Sequence, residues 1–465
     1  MDDVPVSAQD SAALFAEMFA ETTFYGLPAA AVDAAKKCTL DTLAVMCAAA
    51  GSTPALGKVV KLAASMGGRE EATIFGTSMK VPAMMAAFAN GATVHYLDYD
   101  DIEYDSTYHP SGAVVPAVLA LAERQGNVGG RALLTAVALG QDIGIRMARA
   151  IPLQRRPPWH RSVVVATFAA AAAAARIIGL DRDGIVDALG HALNMAAGSL
   201  ELRWGAEAEI GGMYVAYSAK AGVFAALMAE AGIAGVKNVF DGPAGFFNLY
   251  FEGQCDRERL LSGLGREFTG IDCALKPWPA CAATNTYILA TLNALKEHAI
   301  APEDIERIEV FVGDYAAKLC EPLESRRKPA SAPDAKFSLP YSVAAAAVRG
   351  GLRIGDFSEQ SLTDPRILAL AAKVVPVADS DYDIRTSIPA GAVRIQTRDG
   401  RSIFRHEALP HGHPSKPLSW DEVNAKALDC FAQGDPARGA QIAAMCRDLE
   451  NIDDLRPLFA LLSAR

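Results

Sequence analysis

The chain is 465 residues long, 51% hydrophobic and 21% charged, with a formal net charge of −10. That length exceeds what one hydrophobic core ordinarily serves, so two domains are expected. The acidic balance lacks the basic footprint of a nucleic-acid partner, and an anionic ligand would have to meet a local basic pocket.

The start, Met1-Asp2-Asp3-Val4-Pro5, has neither the basic nor the apolar region of a signal peptide. The longest apolar run, Val163 to Ala175, is closed by Arg176 short of the roughly 20 residues that span a bilayer, so a cytoplasmic protein with no membrane partner is expected. Eight cysteines without a CxxC pair argue against a zinc site or a disulfide framework.

From about residue 8 to 260, apolar residues recur at three- and four-residue spacing. Helices are predicted over Val32 to Ala50, Pro82 to Leu97, Gly112 to Arg124, Gly130 to Ala150, Val163 to Leu180, Arg182 to Ala197 and Tyr214 to Ala231. Alanine-rich stretches are good helix formers, and beyond that their small side chains allow helix axes to pack closely around a broad core, with a subunit interface as one place for such contacts.

After Thr269 the period changes. Ile305 to Val312 and Ala392 to Thr397 alternate apolar and polar residues, and Asp399-Gly400 before Arg401 to Arg405 marks a hairpin. Helices over Thr284 to His298 and near Ser342 to Arg349 make this part α+β, and Pro410 to Pro417 reads as a linker. Trp420 to Ala432, capped by Ser419, and Asp448 to Leu462 are helical again.

The fold expected is therefore mostly α. A large all-α helical domain (residues 1–268 and 409–465) carries a smaller α+β lid domain (269–408) inserted before the C-terminal helices.

One segment stands out chemically. His95-Tyr96-Leu97-Asp98-Tyr99-Asp100-Asp101 precedes His109-Pro110-Ser111-Gly112, and Asp98, Asp100, Asp101, Glu103 and Asp105 crowd together with no lysine or arginine among them. Carboxylates beside imidazoles can orient a base and hold its tautomer, whereas carboxylates alone would chelate a hard cation; a solvated acidic loop is the plain alternative. On an all-α scaffold, Asp100, Asp101 and Asp105 also suit a magnesium-dependent isoprenoid synthase.

Further motifs join this one: Pro158-Trp159-His160-Arg161-Ser162, Asp241-Gly242-Pro243-Ala244-Gly245-Phe246-Phe247, Lys276-Pro277-Trp278-Pro279-Ala280-Cys281 and Ala335-Lys336-Phe337-Ser338-Leu339-Pro340-Tyr341. In this order, across almost the whole chain, the series resembles the MmgE/PrpD family, which includes 2-methylcitrate dehydratases, cis-aconitate decarboxylases and an iminodisuccinate epimerase. The resemblance implies a homodimer that acts on a small carboxylic acid without metal or organic cofactor. It also implies a lyase or isomerase that removes a proton next to a carboxylate, by dehydration or decarboxylation ahead of epimerisation.

By position, the resemblance puts Asp98, His109, His160, Lys276 and Tyr341 in the active site, with Cys281 where cysteine or histidine is common. His160, at the mouth of a helix whose dipole favours the neutral imidazole, is the expected base and His109 the acid or second base. Asp98 is expected to orient a histidine, since an ordinary carboxylate near pKa 4 is a weak base for a carbon acid. Lys276 would clamp a substrate carboxylate, and His95 reads as a structurally satisfied histidine.

Two positions depart from the family. Met213 stands where a lysine is usual, so a carboxylate-binding cation is missing and an altered substrate is expected, unless Arg203 or Lys220 compensates; Asn285 stands where histidine is frequent. A non-catalytic paralogue is the remaining alternative.

Overall fold

The computed structural model describes residues 9–152, 158–203, 209–383 and 390–463. The chain forms two compact units: Met1–Tyr96 with Asp100–Cys273 and Cys430–Arg465, and Leu97–Tyr99 with Ala274–Asp429.

The first unit is helical. In chain order it contains α1 (Ser11–Glu21), α2 (Ala29–Ala50), α3 (Pro54–Ser65), α4 (Ala83–Val94), α5 (Ser111–Gln125), α6 (Gly130–Ala150) and α7 (Arg161–Ile177), followed by α8 (Arg182–Leu193), α9 (Val215–Glu230), α10 (Phe246–Phe251) and α11 (Arg257–Leu261). A short antiparallel ribbon, β1 (Ala72–Thr73) with β2 (Lys80–Val81), is an exception to the all-α expectation. Two residues per strand are too few for an alternating pattern to show in sequence.

Helix α7 is the axis of this unit. Every residue from Ser162 to Ala175 is buried, so the alanine run serves close helix packing in the interior of the bundle. Small side chains let α9 lie against it: a Cβ on Gly222 would sit 2.5 Å from Ala170 Cβ. At Gly112 a Cβ would lie 3.2 Å from Val215 Cγ1, which brings the first turns of α5 and α9 together.

The second unit holds α12 (Ala282–Glu297), β3 (Ile305–Val312), α13 (Asp314–Lys318), α14 (Leu323–Arg327), α15 (Ala332–Lys336), α16 (Leu339–Arg349), α17 (Glu359–Leu362) and α18 (Pro365–Ala371). Strands β4 (Val374–Ala378), β5 (Gly391–Thr397) and β6 (Ser402–Glu407) complete a sheet of order β4-β3-β5-β6. β5 and β6 form the predicted antiparallel hairpin, with Val393 opposite Arg405. β4 was not predicted; it runs parallel to β3 at the sheet edge, where Pro376 removes a donor the ladder does not need.

Residues 409–429, expected with the helical domain, group with the sheet instead, because Lys426 on α19 (Trp420–Phe431) donates to Tyr99 O at 2.7 Å within that unit. Ser419 and Glu422 cap α19 reciprocally, Glu422 Oε2 accepting from Ser419 N at 2.8 Å and Ser419 Oγ from Glu422 N at 3.3 Å. Back in the first unit, α20 (Pro436–Arg447) was not predicted, although Asp435 before Pro436 is a helix-start signal.

The single terminal helix expected over Asp448 to Leu462 is broken before α21 (Arg456–Ser463). Ile452 O is taken by Gly130 N at 2.7 Å, and Asp454 Oδ1 accepts from Arg456 N at 3.0 Å, which starts a new helix. No single described helix is long and apolar enough to cross a membrane.

Candidate active site

The first unit gathers three histidines and a tyrosine at helix ends, His109, His160 and Tyr214 at entrances and His95 at an exit. His109 lies two residues before α5, His160 is the N-cap of α7, Tyr214 immediately precedes α9, and His95 follows the last residue of α4. Their rings form a chain: His109 to His95 at 4.5 Å between centroids, His95 to Tyr214 at 4.7 Å, and Tyr214 to His160 at 4.4 Å. The positive ends of three helix dipoles favour negative charge near these entrances.

Asp100 organises the cluster. It is fully buried, and its carboxylate accepts from His95 Nδ1 at 2.9 and 3.1 Å and faces His109 Nδ1 at 3.1 Å. His109 Nδ1 also lies 2.7 Å from Asp101 O. An ionised carboxylate and a carbonyl only accept, so both imidazoles carry their proton on Nδ1 and keep Nε2 as the basic atom when neutral. Burial opposes ionisation of Asp100, but the two imidazoles outweigh it and hold its pKa well below the usual carboxylate range.

The other acids have separate partners. Asp101 accepts from Ser111 N at 3.2 Å and Ser111 Oγ at 2.6 Å, holding the start of α5; burial, with Asp100 and Asp41 adding repulsion against the Ser111 bond, pushes its pKa up to about 6. Glu103 pairs with Arg149 at 2.8 Å and ties Asp105 N and Ser106 N into a tight loop in which Thr107 adopts φ 55°. Asp105 is exposed, 3.8 Å from Arg149. The expected alternative of a diphosphate-chelating aspartate set is therefore not formed by Asp100, Asp101 and Asp105, which turn to three different sets of partners. Ligand-capable atoms of His95, Asp100 and His109 do lie within 4.8 Å of one another, so chelation is a necessary control in any assay.

A second polar cluster lies in the other unit. Lys276, 1% exposed, donates Nζ to Asp98 O at 2.9 Å and also to Asp98 Oδ1. Asp98 takes a left-handed backbone, φ 51°, a conformation aspartate tolerates better than most residues. Tyr99 Oη donates to Pro277 O at 3.1 Å, and Lys426 stands 3.9 Å over the Tyr99 ring. Cys281 Sγ is 4.0 Å from Tyr315 Oη, and its backbone N donates to Lys336 O at 3.0 Å. Burial, with Asp98 adding, pushes the Cys281 thiol up to about 11, so it is a neutral wall rather than a thiolate.

The expected roles are therefore redistributed. His109 and His160 fall in one ring cluster, and the carboxylate that holds His109, together with His95, is Asp100, whereas Asp98 is the partner of Lys276. Tyr341 is fully buried and donates its hydroxyl to Asp356 O at 2.7 Å, tying α16 to the following turn.

Met213 is buried one residue before Tyr214. Lys220 lies over the rings of Phe88 and Tyr217, at 5.6 and 5.9 Å. The side chain of Arg203 lies outside the described residues.

The sequence alone gives no role to Tyr214 or Lys336, and it reads His95 as a structurally satisfied histidine, whereas the structure sets it in the cluster on Asp100. Only His95 carried a signal, its five-residue distance from Asp100 at a helix end.

A helical first unit, an α+β second unit and a histidine–carboxylate cluster define the class, and comparison with known proteins fixes it. Residues 13–258 match the MmgE/PrpD N-terminal domain and residues 278–451 the MmgE/PrpD C-terminal domain, so the chain belongs to the MmgE/PrpD family. It is 27% identical to cis-aconitate decarboxylase of Mus musculus, over 84% of this chain and 80% of that protein. It is 28% identical to the Homo sapiens cis-aconitate decarboxylase over 76% and 74%, and 27% identical to 2-methylcitrate dehydratase of Cupriavidus necator over 80% and 79%.

Proposed function

We propose that this protein is a lyase that, without a cofactor, makes or breaks a bond next to a carboxylate of a small di- or tricarboxylic acid, by dehydration or decarboxylation. The observation that carries the reading is Asp100 holding His109 and His95 through Nδ1, which fixes the tautomer of His109 and leaves its Nε2 as the proton-carrying atom. The relatives named as a decarboxylase and a dehydratase support the same reaction class.

In a dehydration, a neutral imidazole takes the proton from the carbon beside the carboxylate and a protonated one returns a proton to the departing hydroxide, so that water leaves and a C=C bond forms. In a decarboxylation, the C–C bond to carbon dioxide breaks, its electron pair enters the conjugated carboxylate system, and a protonated imidazole delivers the proton to carbon. His160 is the base, His109 the acid, Asp100 the carboxylate that orients His109 with His95, and Lys276 a carboxylate-binding cation. Met213, in place of the family lysine, shifts the preferred substrate toward fewer carboxylates. The enzyme is read as a cytoplasmic homodimer, and sedimentation equilibrium tests the dimer.

The decisive test incubates EDTA-treated protein in D2O with citrate, 2-methylcitrate, cis-aconitate and dicarboxylate analogues, followed by proton NMR. Deuterium incorporation or turnover is expected, falling about 10²- to 10⁴-fold in His160→Ala and His109→Ala. No reaction with any acid, or a reaction that needs added magnesium, overturns the proposal.

A further inference from the structure

The second unit contains a buried cation that the family resemblance did not single out. Lys336 ends α15, is only 6% exposed, and its side-chain ammonium has no hydrogen-bond or ion-pair partner among the described residues. Asp98 and Lys276 both act on it electrostatically, and Asp98 is already engaged by Lys276. The backbone joins these groups, since Lys336 O accepts from Cys281 N at the start of α12. Two buried lysines therefore act on one carboxylate to which only Lys276 is bonded, and protein interiors do not leave a buried ammonium such as that of Lys336 without a close counter-charge unless there is cause.

A second feature points the same way. Asn285 is fully buried, and neither its amide nitrogen nor its oxygen has a partner among the described residues. It lies four residues after Cys281 and so shares that face of α12.

We propose that Lys336, beside Lys276, is a carboxylate-binding residue of this enzyme, and that the compensating charge it lacks is supplied by a carboxylate of the substrate. The group recognised is a carboxylate on a small acid, with the Asn285 amide as an additional neutral donor. The inference rests on the lyase reading for its kinetic consequence but not for its binding consequence. Burial pushes the pKa of Lys336 down to about 8, with Lys276 adding to the fall and Asp98 opposing it, as expected of an ammonium awaiting an anion.

The test uses the whole protein and tricarballylate, an unreactive tricarboxylate, as probe. Calorimetric affinity is expected to fall about ten- to a hundredfold in Lys336→Met and to return within a few-fold of wild type in Lys336→Arg. Without ligand, Lys336→Met is expected to unfold at a higher temperature than wild type, because an uncompensated buried charge has been replaced by a methylene chain of similar volume. With whichever acid turns over, KM rises by the same factor while kcat changes little.

Unchanged tricarballylate binding in a folded Lys336→Met protein overturns the inference. So does a lowered unfolding temperature with unchanged affinity, which marks a purely structural lysine. Failure of the wild type to turn over any acid overturns the lyase reading alone and leaves the calorimetric result to judge Lys336.

Discussion

Replacing Asp100 by asparagine removes the charge that two imidazoles share while keeping the side-chain volume. The amide oxygen can still accept from one Nδ1–H, but the amide nitrogen presents a donor to the other, and that ring must move its proton to Nε2 to avoid a donor–donor contact. One of His95 and His109 then loses its basic Nε2. Two charge-assisted bonds are weakened, each worth about 1.5–3 kcal/mol, and allowing for non-additivity about 3–5 kcal/mol of organisation is lost. At 1.36 kcal/mol per decade this lowers kcat by about 10²- to 10⁴-fold.

The assay is deuterium exchange or turnover of the best acid from the panel, with circular dichroism to establish that the variant is folded. Asp100→Ala should be no more active than Asp100→Asn, since the tautomer is lost in both. A folded Asp100→Asn enzyme within threefold of wild-type kcat would refute the role of Asp100 in fixing the tautomer of His109 as a proton carrier.

Asp101 and the Lys276 pair yield further expectations. Asp101 has a folded pKa of about 6 against an unfolded 3.8, so between those values the folded state binds more protons and stability falls as pH rises, flattening above 6. The difference is about 3 kcal/mol, and relative to wild type Asp101→Asn should gain stability between pH 4 and 7 by up to that amount less the weakened Ser111 bonds. Urea unfolding at both pH values checks this, and a parallel pH dependence in the two proteins would contradict it. Lys276→Met removes the cation bonded to Asp98 and should cost up to about 3–5 kcal/mol, less whatever Lys336 supplies in its place, whereas adding Asp98→Asn, which asparagine tolerates at φ 51°, should recover part of the loss. Denaturant midpoints of the single and double variants form the cycle, and additive losses would rule out the pair as a coupled unit.

The arrangement of the chain was legible wherever burial is periodic. The strand Ile305–Val312 and the helix Gly130–Ala150 have the bounds their patterns predict, because a residue that repeats every second or every 3.6 positions can bury only one way in a regular element. The strand Val374–Ala378 carries no alternation and contains a proline, and the break before Arg456 depends on Gly130, more than three hundred residues earlier in the chain, taking a backbone carbonyl. Neither can be read from a local window, since each is decided by a partner distant in sequence.

The sequence by itself determined the family, the mostly helical character with an α+β part, and the histidine–acid segment as the place to look. Motif order and hydrophobic period are properties of the covalent chain, and they survive without coordinates. Only the tertiary structure decided which carboxylate serves which base. Asp98 and Asp100 are two residues apart and chemically identical, yet one turns to Lys276 in the α+β unit and the other to His95 and His109 in the helical unit. Spacing cannot separate them, because at Asp98 the backbone enters a left-handed conformation that redirects the side chain, and a direction set by a single dihedral leaves no trace in the order of residues.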